Sequence, residues 1–175
     1  MNKMLKIYIL DTSAILSGKS ISPMDGKLLA PDSVSIEFKK GGRDYRNFQF
    51  LIEKGLSIIS PSKDSIEIVR KIAETTGDIG RLSRVDIDVL ALALDKQKEN
   101  LEVVILTDDY SIQNVAHAMG IKFKSLSQKG IKEEFKWVYV CRGCGKKFDR
   151  HIKVCPICGK ATRSIVIRSR KISEV

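Results

Sequence analysis

Four carboxylates in this chain border apolar segments in a pattern that could bring them together for chemistry. Their surroundings are KIYILD for Asp11, SVSIEF for Glu37, LSRVDIDVLALAL for Asp86 and VVILTDD for Asp109. Acids placed at the carboxyl ends of strands in an open α/β sheet converge at one edge. Because clustered carboxylates repel one another unless a cation lies between them, the pattern predicts a site for Mg²⁺ or Mn²⁺.

Each acid also has a structural explanation. Asp11 could cap the turn that follows the first strand, and Asp86 could complete a capping box with Ser83. However, the helix that begins near Asp86 is apolar almost all round, so we expect it to be central and its first turn to lie near the sheet edge. Glu37 has the weakest pattern of the four.

Two neighbouring acids pose a choice that the sequence leaves open. Asp108 and Asp109 would point to opposite faces of an extended segment, so that one faces the site and the other caps the following helix. Asp88 lies about 200° around its helix from Asp86, so both cannot face one metal ion. We therefore expect Asp88 to be solvated or salt-bridged.

All four cysteines of the chain lie in the segment CRGCGKKFDRHIKVCPICG. Two Cys-x-x-Cys pairs can supply four thiolates to one tetrahedral Zn²⁺ at about 2.3 Å. The predicted zinc ligands are Cys141, Cys144, Cys155 and Cys158. A full shell leaves no position for a substrate, so the ion would be structural and would supply much of the segment's folding energy. An iron site of the rubredoxin kind uses similar spacing and stays an alternative.

The elements that must position these residues alternate between strand and helix. Strands are predicted over KIYILD, KLLA, LSIISP, LEVVILTDD and IKFKSLS, and helices over PDSVSIEFKK, RDYRNFQFLIEKG, SKDSIEIVRKIAETTG, the Asp86 segment and SIQNVAHAMG. This alternation predicts an α/β fold with a parallel sheet flanked by helices, plus a small C-terminal zinc ribbon. The predicted division is residues 1–125 for the α/β domain, 126–136 for a linker, 137–165 for the ribbon and 166–175 for a basic tail.

Positive charge is concentrated at the C-terminal end. Residues 1–120 carry 16 Lys or Arg against 17 Asp or Glu, whereas residues 121–175 carry 15 against four. Such asymmetry favours a polyanionic partner, and nucleic acid is the commonest. The alternative is that these lysines and arginines only solvate a small domain.

No apolar run approaches the roughly 20 residues of a membrane span, so we expect no membrane partner. The start, MNKMLKIYILDT, fits a first strand better than a signal peptide, and a cytoplasmic location is expected. The oligomeric state stays open, with a monomer as one option.

These segments together resemble the PIN-domain nuclease superfamily. The resemblance is carried by LDTSAIL opening a strand, by Glu37, by LSRVDIDVLALA and by ILTDDYSIQNVA. Members use three or four acids to hold one or two divalent metals and cut RNA. The order DDYSIQNVAHAMG followed by a four-cysteine ribbon is similar to the Nob-type branch, which trims the 3′ end of small-subunit ribosomal RNA. The lack of long insertions resembles the compact archaeal form.

By position, the resemblance implies that Asp11, Glu37, Asp86 and Asp109 are both the catalytic acids and the Mg²⁺ or Mn²⁺ ligands. It implies support from Thr107 and Asp108, and it favours Asp109 over Asp108 as the last acid. The implied function is a metal-dependent endoribonuclease that cleaves precursor small-subunit ribosomal RNA near its 3′ end during ribosome maturation. The implied partners are ribosomal RNA and the pre-small ribosomal subunit, and the implied products are a 5′ phosphate and a 3′ hydroxyl.

RNA affinity is expected to come from the ribbon and tail. The predicted phosphate contacts are Lys146, Lys147, Arg150, Lys153, Arg163, Arg168 and Arg170. Trp137, Tyr139 or Phe148 could stack on bases, although packing in the ribbon is the expected role of at least two of them. His151 is expected at the surface or against nucleic acid.

Three other functions remain in view. One is a non-catalytic RNA-binding assembly factor, and another is a toxin-like PIN ribonuclease that acts on transfer or messenger RNA. The ribbon argues against the second, since such toxins generally lack one. A DNA-acting flap nuclease would usually be longer and carry more acids.

Overall fold

The protein folds around a five-stranded parallel sheet in the order β3-β2-β1-β4-β5. The computed structural model describes residues 5–17, 26–126 and 133–171, without the side chains of 133–135 and 168–171. The strands are β1 (Lys6–Leu10), β2 (Gly26–Ala30), β3 (Ser57–Ile58), β4 (Glu102–Leu106) and β5 (Lys122–Lys124). The helices are α1 (Thr12–Leu16), α2 (Arg43–Glu53), α3 (Lys63–Thr76), α4 (Arg84–Lys98) and α5 (Tyr110–Ala118), with a 3-10 helix at Asp32–Glu37. The predicted α/β fold is confirmed.

The register of the central strands fixes the edge where the acids lie. Leu10 of β1 pairs with Leu106 of β4, and Ile9 pairs with Leu29 of β2. Because these strands are parallel and start level with one another, their carboxyl ends meet. We call the ends of β2, β1 and β4, with the residues that follow them, the carboxyl edge.

Helix α4 is the central helix of the core, as predicted. It packs against β1, β4, α3 and α5, and its residues 87–93 are all buried. A helix buried on every side is held by neighbours all round, which makes its first residue a fixed point for the site. Its N-cap, Ser83, accepts from the Asp86 N–H at 3.2 Å, and the Asp86 carboxylate accepts from the Ser83 N–H at 2.6 Å. The predicted capping box is therefore present.

Two elements differ from the predicted ones. The segment PDSVSIEFKK forms a 3-10 helix whose N-cap is Pro31, rather than an α-helix with Pro31 in its first turn. The strand predicted over LSIISP is reduced to the two residues of β3, which pair only with Leu29 and Ala30 at the sheet margin. The short β3 is the outermost strand of the sheet and has a neighbour on one side only.

The C-terminal part forms a three-stranded antiparallel sheet in the order β7-β6-β8, which we call the ribbon. Its strands are β6 (Glu133–Cys141), β7 (Lys147–Phe148) and β8 (Thr162–Lys171). Strands β6 and β8 pair along almost their full length, with a register shift between Lys136 and Trp137. They extend into the stretches predicted as linker and tail, and the four-part division itself stays a prediction. Within the described residues, no helix combines the length and the apolar character that crossing a membrane requires.

At Gly77 the backbone at the end of α3 approaches the backbone of the ribbon closely. Gly77 ends α3 with φ at +83°, and a Cβ added to it would lie 2.5 Å from both Cβ and the carbonyl oxygen of Trp137. We expect Gly77→Ala to lower the free energy of unfolding by about 2–4 kcal/mol, because left-handed strain adds to overpacking. The measurement is urea unfolding.

Gly120 provides the matched control. It also has a positive φ, +68°, but nothing lies within 4 Å of an added Cβ. Gly120→Ala therefore reports the backbone strain alone, which is about 1–2 kcal/mol. Equal losses in the two variants would contradict the close approach of Trp137.

Candidate functional site

The carboxyl edge brings three of the predicted acids, Asp11, Glu37 and Asp109, to neighbouring strand ends, and the fourth, Asp86, lies in the first turn of α4. Asp11 follows β1, and its N–H donates to the carbonyl of Leu106 at the end of β4. Glu37 ends the 3-10 helix that follows β2, and its carboxylate accepts a short hydrogen bond from the Thr12 hydroxyl. The sequence pattern around Glu37 is weak, and it gives no sign of the hydrogen bond with Thr12.

Asp11 is the most enclosed acid of the edge, with 4% of its surface exposed. Its carboxylate accepts from the Thr12 N–H at 2.6 Å and from the hydroxyls of Ser13 and Thr107 at 2.8 Å each. Burial raises the pKa of Asp11 above its ordinary value and the charge of Asp86 adds to the rise, while these hydrogen bonds oppose it. Asp11 thus caps α1, which is its structural role. Its pKa also responds to the charge of Asp86.

Asp86 is the second acid whose environment is perturbed. Burial raises its pKa, the Ser83 hydrogen bonds of the capping box oppose the rise, and the charges of Asp109 and Glu37 add to it. The charged neighbours that shift Asp11 and Asp86 are therefore acids. Such mutual repulsion between carboxylates is the electrostatic condition that a divalent cation relieves.

The two consecutive acids after β4 take different partners. Asp108 accepts from the Ser125 hydroxyl and from the Leu126 N–H at 2.8 Å, which ties it to the segment after β5. Asp109 caps α5 by accepting from the N–H groups of Ser111 at 2.6 Å and Ile112 at 3.3 Å. The charge of Asp109 is among those that raise the pKa of Asp86.

Thr107 links the first and last acids of the edge. Its hydroxyl donates to Asp11 and accepts from the Asp109 N–H at 3.0 Å. The side-chain amide of Gln113, which is fully buried, donates to the Thr107 carbonyl at 2.9 Å. Thr107 thus supports both acids structurally.

Sequence reasoning missed one buried acid near this edge. Asp78 is 1% exposed, accepts from the side-chain amide of Asn114 at 2.6 Å, and has a pKa raised first by burial and also by the charge of Asp109. It lies between two predicted helices, where the sequence TGDIG suggests only a turn. No hydrophobic period marks it, so only the folded structure reveals its burial.

The carboxylates fit a hard divalent cation by their chemistry, but they do not form a closed cage. Across residues 5–17, 26–126 and 133–171, the four cysteines are the only group of three or more His, Cys, Asp or Glu whose ligand atoms lie within 4.8 Å of one another. Mg²⁺ usually binds through one or two carboxylates and keeps several waters, so a closed cage is not required. The four-ligand set stays a prediction.

We expect the pH dependence of Mn²⁺ binding to report these acids. Protons compete with metal for a carboxylate, and the pKa values of Asp11 and Asp86 lie above the ordinary 3.8. The rise in melting temperature caused by Mn²⁺ should be full at neutral pH and should shrink as pH falls through these raised pKa values. The pH at which this rise in melting temperature disappears should be higher than for carboxylates that have the ordinary pKa of 3.8.

Variants make this test specific. Asp86→Asn should reduce the Mn²⁺-induced rise at every pH, whereas Asp64→Asn, at an exposed position in the first turn of α3, should leave it unchanged. If the Mn²⁺-induced rise in melting temperature changed neither with pH nor in Asp86→Asn, Mn²⁺ would bind elsewhere.

The four cysteines of the ribbon lie close enough to share one ion. The Sγ atoms of Cys141 and Cys158 are 3.3 Å apart, and those of Cys144 and Cys155 are 3.7 Å apart. The N–H of Cys144 and that of Gly143 point at the Cys141 sulfur and lower the pKa of this thiol to about 6. The pKa of Cys144 is lowered by the Lys146 N–H but raised to about 11 by partial desolvation and the neighbouring sulfurs, because thiols packed together disfavour a second negative charge unless a cation lies between them. Four sulfurs in one cluster, one of them ionised readily, fit Zn²⁺.

Two aromatic residues of the ribbon, Trp137 and Tyr139, contact the first part of the chain at Gly77 and Arg81. Tyr139 is buried, and His151 meets its ring edge-on at a centroid distance of 4.8 Å. A Cβ on Gly80 would clash with the His151 imidazole, which is half-buried, and the predicted place of His151 at the surface or against nucleic acid stays a prediction. Trp137 and Phe148 are half-buried as well.

The basic residues predicted to contact phosphate are exposed wherever their side chains are described. The exposed ones are Lys146, Lys147, Arg150, Lys153 and Arg163. The side chains of Arg168 and Arg170 lie outside the described residues, although both belong to β8. Their RNA contacts remain a prediction.

Comparison with known proteins matches this geometry to a family. Residues 8–95 match the PIN domain of ribonuclease. The chain is 40% identical over 157 residues to Endoribonuclease Nob1 of Archaeoglobus fulgidus, covering 90% of this chain and 89% of that one. It is 42% identical over 156 residues to Ribonuclease VapC1 of Thermoplasma acidophilum, covering 87% and 75%. It is 33% identical over 175 residues to Endoribonuclease Nob1 of Methanocaldococcus jannaschii, covering 95% and 81%. The chain therefore belongs to the PIN-domain ribonucleases, in the Nob-type branch.

Proposed function

We propose that this endoribonuclease depends on Mg²⁺ or Mn²⁺ and cuts precursor small-subunit ribosomal RNA near its 3′ end, in the cytoplasm, during ribosome maturation. The observation that carries the proposal is the group of mutually repelling acids at the carboxyl edge, within a chain of the Nob-type branch. The proposed partners are the RNA and the pre-small ribosomal subunit. The proposed structural ion of the ribbon is one Zn²⁺.

The side chains of the carboxyl edge would have two roles in phosphodiester hydrolysis: the acids would bind the metal ion, and the hydroxyls would orient the acids. Asp11, with Glu37, Asp86 and Asp109, would hold the divalent ion, whose chemistry is to activate water and to stabilise charge on the reacting phosphate. The hydroxyls of Ser13 and Thr107 hold Asp11 in one orientation. The Thr12 hydroxyl does the same for Glu37, so that two acids are aimed before RNA arrives.

The ribbon would supply affinity for the RNA backbone. Its exposed lysines and arginines can neutralise phosphates, so binding should weaken by roughly 0.7 log units per log of salt for each phosphate contacted on single-stranded RNA. Because the aromatic residues pack inward, base stacking would contribute less than the sequence suggested.

A second function is favoured by one comparison. The relative named Ribonuclease VapC1 aligns with 87% of this chain, a span that reaches into the ribbon. The ribbon therefore argues less strongly against a toxin-like ribonuclease of transfer or messenger RNA than the sequence suggested. A non-catalytic assembly factor remains the other alternative.

One assay separates the three functions. The protein is incubated with Mn²⁺ and with equal amounts of a precursor ribosomal RNA fragment that spans the 3′ end, total transfer RNA and a messenger RNA. We expect cleavage of the ribosomal fragment at one position, with a 5′ phosphate on the downstream product, as mapped by primer extension. Preferential cleavage of transfer or messenger RNA would favour the second function, and binding without cleavage would favour the assembly factor.

A further inference from the structure

The ribbon docks on the connection between α3 and α4, residues 77–82, which we call the α3–α4 loop. The Tyr139 hydroxyl donates to the Gly77 carbonyl at 2.9 Å, and Tyr139 is 5% exposed. Gly80 lies so close to Tyr139 and His151 that a Cβ there would meet both side chains. These contacts tie two points of the loop to the ribbon sheet.

Arg81 makes a second polar contact of the same interface. Its guanidinium carbon lies 3.5 Å from the centre of the Trp137 ring on β6, and its Nη2 donates to the Ser164 hydroxyl on β8 at 3.2 Å. A planar guanidinium both stacks on an aromatic ring and donates sideways, which a lysine cannot reproduce. Arg81 therefore bridges two strands of the ribbon.

The other side of the loop leads to the acids of the carboxyl edge. The N–H groups of Arg81 and Leu82 donate to the Asp78 carbonyl at 2.8 and 3.2 Å, which makes a compact turn directly before the Ser83 N-cap. Ser83 forms the capping box with Asp86. Only Leu82 and Ser83 thus separate Arg81 from the first residue of α4, the helix that holds Asp86.

The same turn also reaches the last acid. The Asp78 carboxylate accepts from Asn114 of α5, and α5 is capped by Asp109. A displacement of the α3–α4 loop would therefore also displace Asp86 and Asp109, two of the proposed metal ligands. The loop contacts the ribbon through Gly77, Gly80 and Arg81, and it reaches the acids through Asp78 and the Ser83 cap.

We infer that Arg81 is a positioning residue for the nuclease site: by joining the α3–α4 loop to Trp137 and Ser164 of the ribbon, it sets the place of Asp86. The ribbon is on this view part of the framework of the active site, in addition to any part in RNA binding. The inference rests on the proposed function. Since a shift of about 1 Å in a catalytic group can cost a factor of 10², removal of the Arg81 bridge should lower the cleavage rate.

The activity test compares Arg81→Ala, Arg81→Lys and Arg70→Ala under single-turnover conditions with saturating RNA and Mn²⁺. Arg70 is an exposed arginine of α3 and serves as the charge-matched control. We expect about a 10–100-fold lower rate for Arg81→Ala, a smaller loss for Arg81→Lys and none for Arg70→Ala. RNA affinity measured without added Mn²⁺ and without a chelator, so that the ribbon keeps its zinc, should change less than about twofold, because Arg81 is engaged within the protein rather than with phosphate.

Two results of this assay would overturn the inference while leaving the proposed function standing. One is a wild-type rate for Arg81→Ala, and the other is a loss that lies entirely in RNA affinity. If Arg81→Ala fails to fold, Ser164→Ala, which removes one hydrogen bond, takes its place with the same expected direction.

Hydrogen exchange tests the inference without cleavage. In Arg81→Ala we expect faster exchange of the amides of residues 77–88, while those of α2 keep their wild-type rates. Unchanged protection of residues 83–88 would overturn the inference. If the wild-type chain cleaves no RNA, the proposed function fails, and this measurement still decides whether the ribbon holds the α4 N-terminus.

Discussion

Replacement of Asp11 by asparagine is expected to lower the single-turnover rate of RNA cleavage by about 10³-fold, since metal-assisted stabilisation is worth several kcal/mol and each 1.36 kcal/mol is tenfold. Asp11 is the most enclosed of the acids, because it is buried and accepts three hydrogen bonds, and the charge of Asp86 raises its pKa further. Asparagine keeps the shape and one acceptor oxygen, so the packing around it should be retained. The measurement is the rate with saturating RNA and Mn²⁺.

The stability of the same variant separates catalysis from folding. The folded-state pKa of Asp11 is raised, so its ionised form disfavours the folded state above that pKa, and the penalty vanishes as pH falls below the unfolded-state value. At neutral pH without metal, Asp11→Asn removes this charge penalty but also loses part of the three hydrogen bonds that the carboxylate accepts, so we expect a melting temperature close to that of wild type. The control Asp64→Asn should change neither rate nor stability. An inactive variant that is also unfolded would remove the catalytic argument.

Removal of the ribbon metal is the second large effect. Cys155 is buried in the sulfur cluster, and structural zinc contributes about 10–16 kcal/mol of apparent binding energy in small zinc domains. We expect Cys155→Ser to bind no zinc and to lose the order of the ribbon. Because the exposed basic residues would then no longer lie on one surface, the slope of log affinity against log salt should fall by about 0.7 for each phosphate of single-stranded RNA that the variant no longer neutralises.

Metal analysis and zinc return provide the control for this variant. The wild-type chain should contain one zinc, lose it to a strong chelator and regain RNA affinity when zinc is added back. Cys155→Ser should not regain it. A chelated wild-type protein that retains both its ribbon fold and its salt-dependent RNA binding would contradict a structural zinc.

The sequence was sufficient where local pattern and burial agree. The run KIYILD had to be a central strand, and the apolar segment after Ser83 had to be a central helix, because no other placement buries so many apolar side chains. The capping box of Ser83 and Asp86 followed from spacing alone. Since parallel strands end at one edge, the meeting of Asp11 with the residues after β4 followed as well.

The sequence was insufficient where distant segments decide. The half-buried position of His151 depends on Gly80, a residue 71 positions earlier whose missing side chain leaves the space. The burial of Asp78 depends on Asn114, and the two-residue length of β3 depends on how far β2 extends beside it. These contacts have no local period, so only the assembled structure shows them.

Anomalous diffraction from Mn²⁺ in crystals of the wild-type chain tests the central claim most directly. We predict a peak at the carboxyl edge with an oxygen of Asp11 about 2.0–2.2 Å away, and with a ligand oxygen from at least one of Glu37, Asp86 and Asp109 or a water that they hold. The claim would be contradicted if saturating Mn²⁺ left this edge without a peak while the same protein still cleaved RNA.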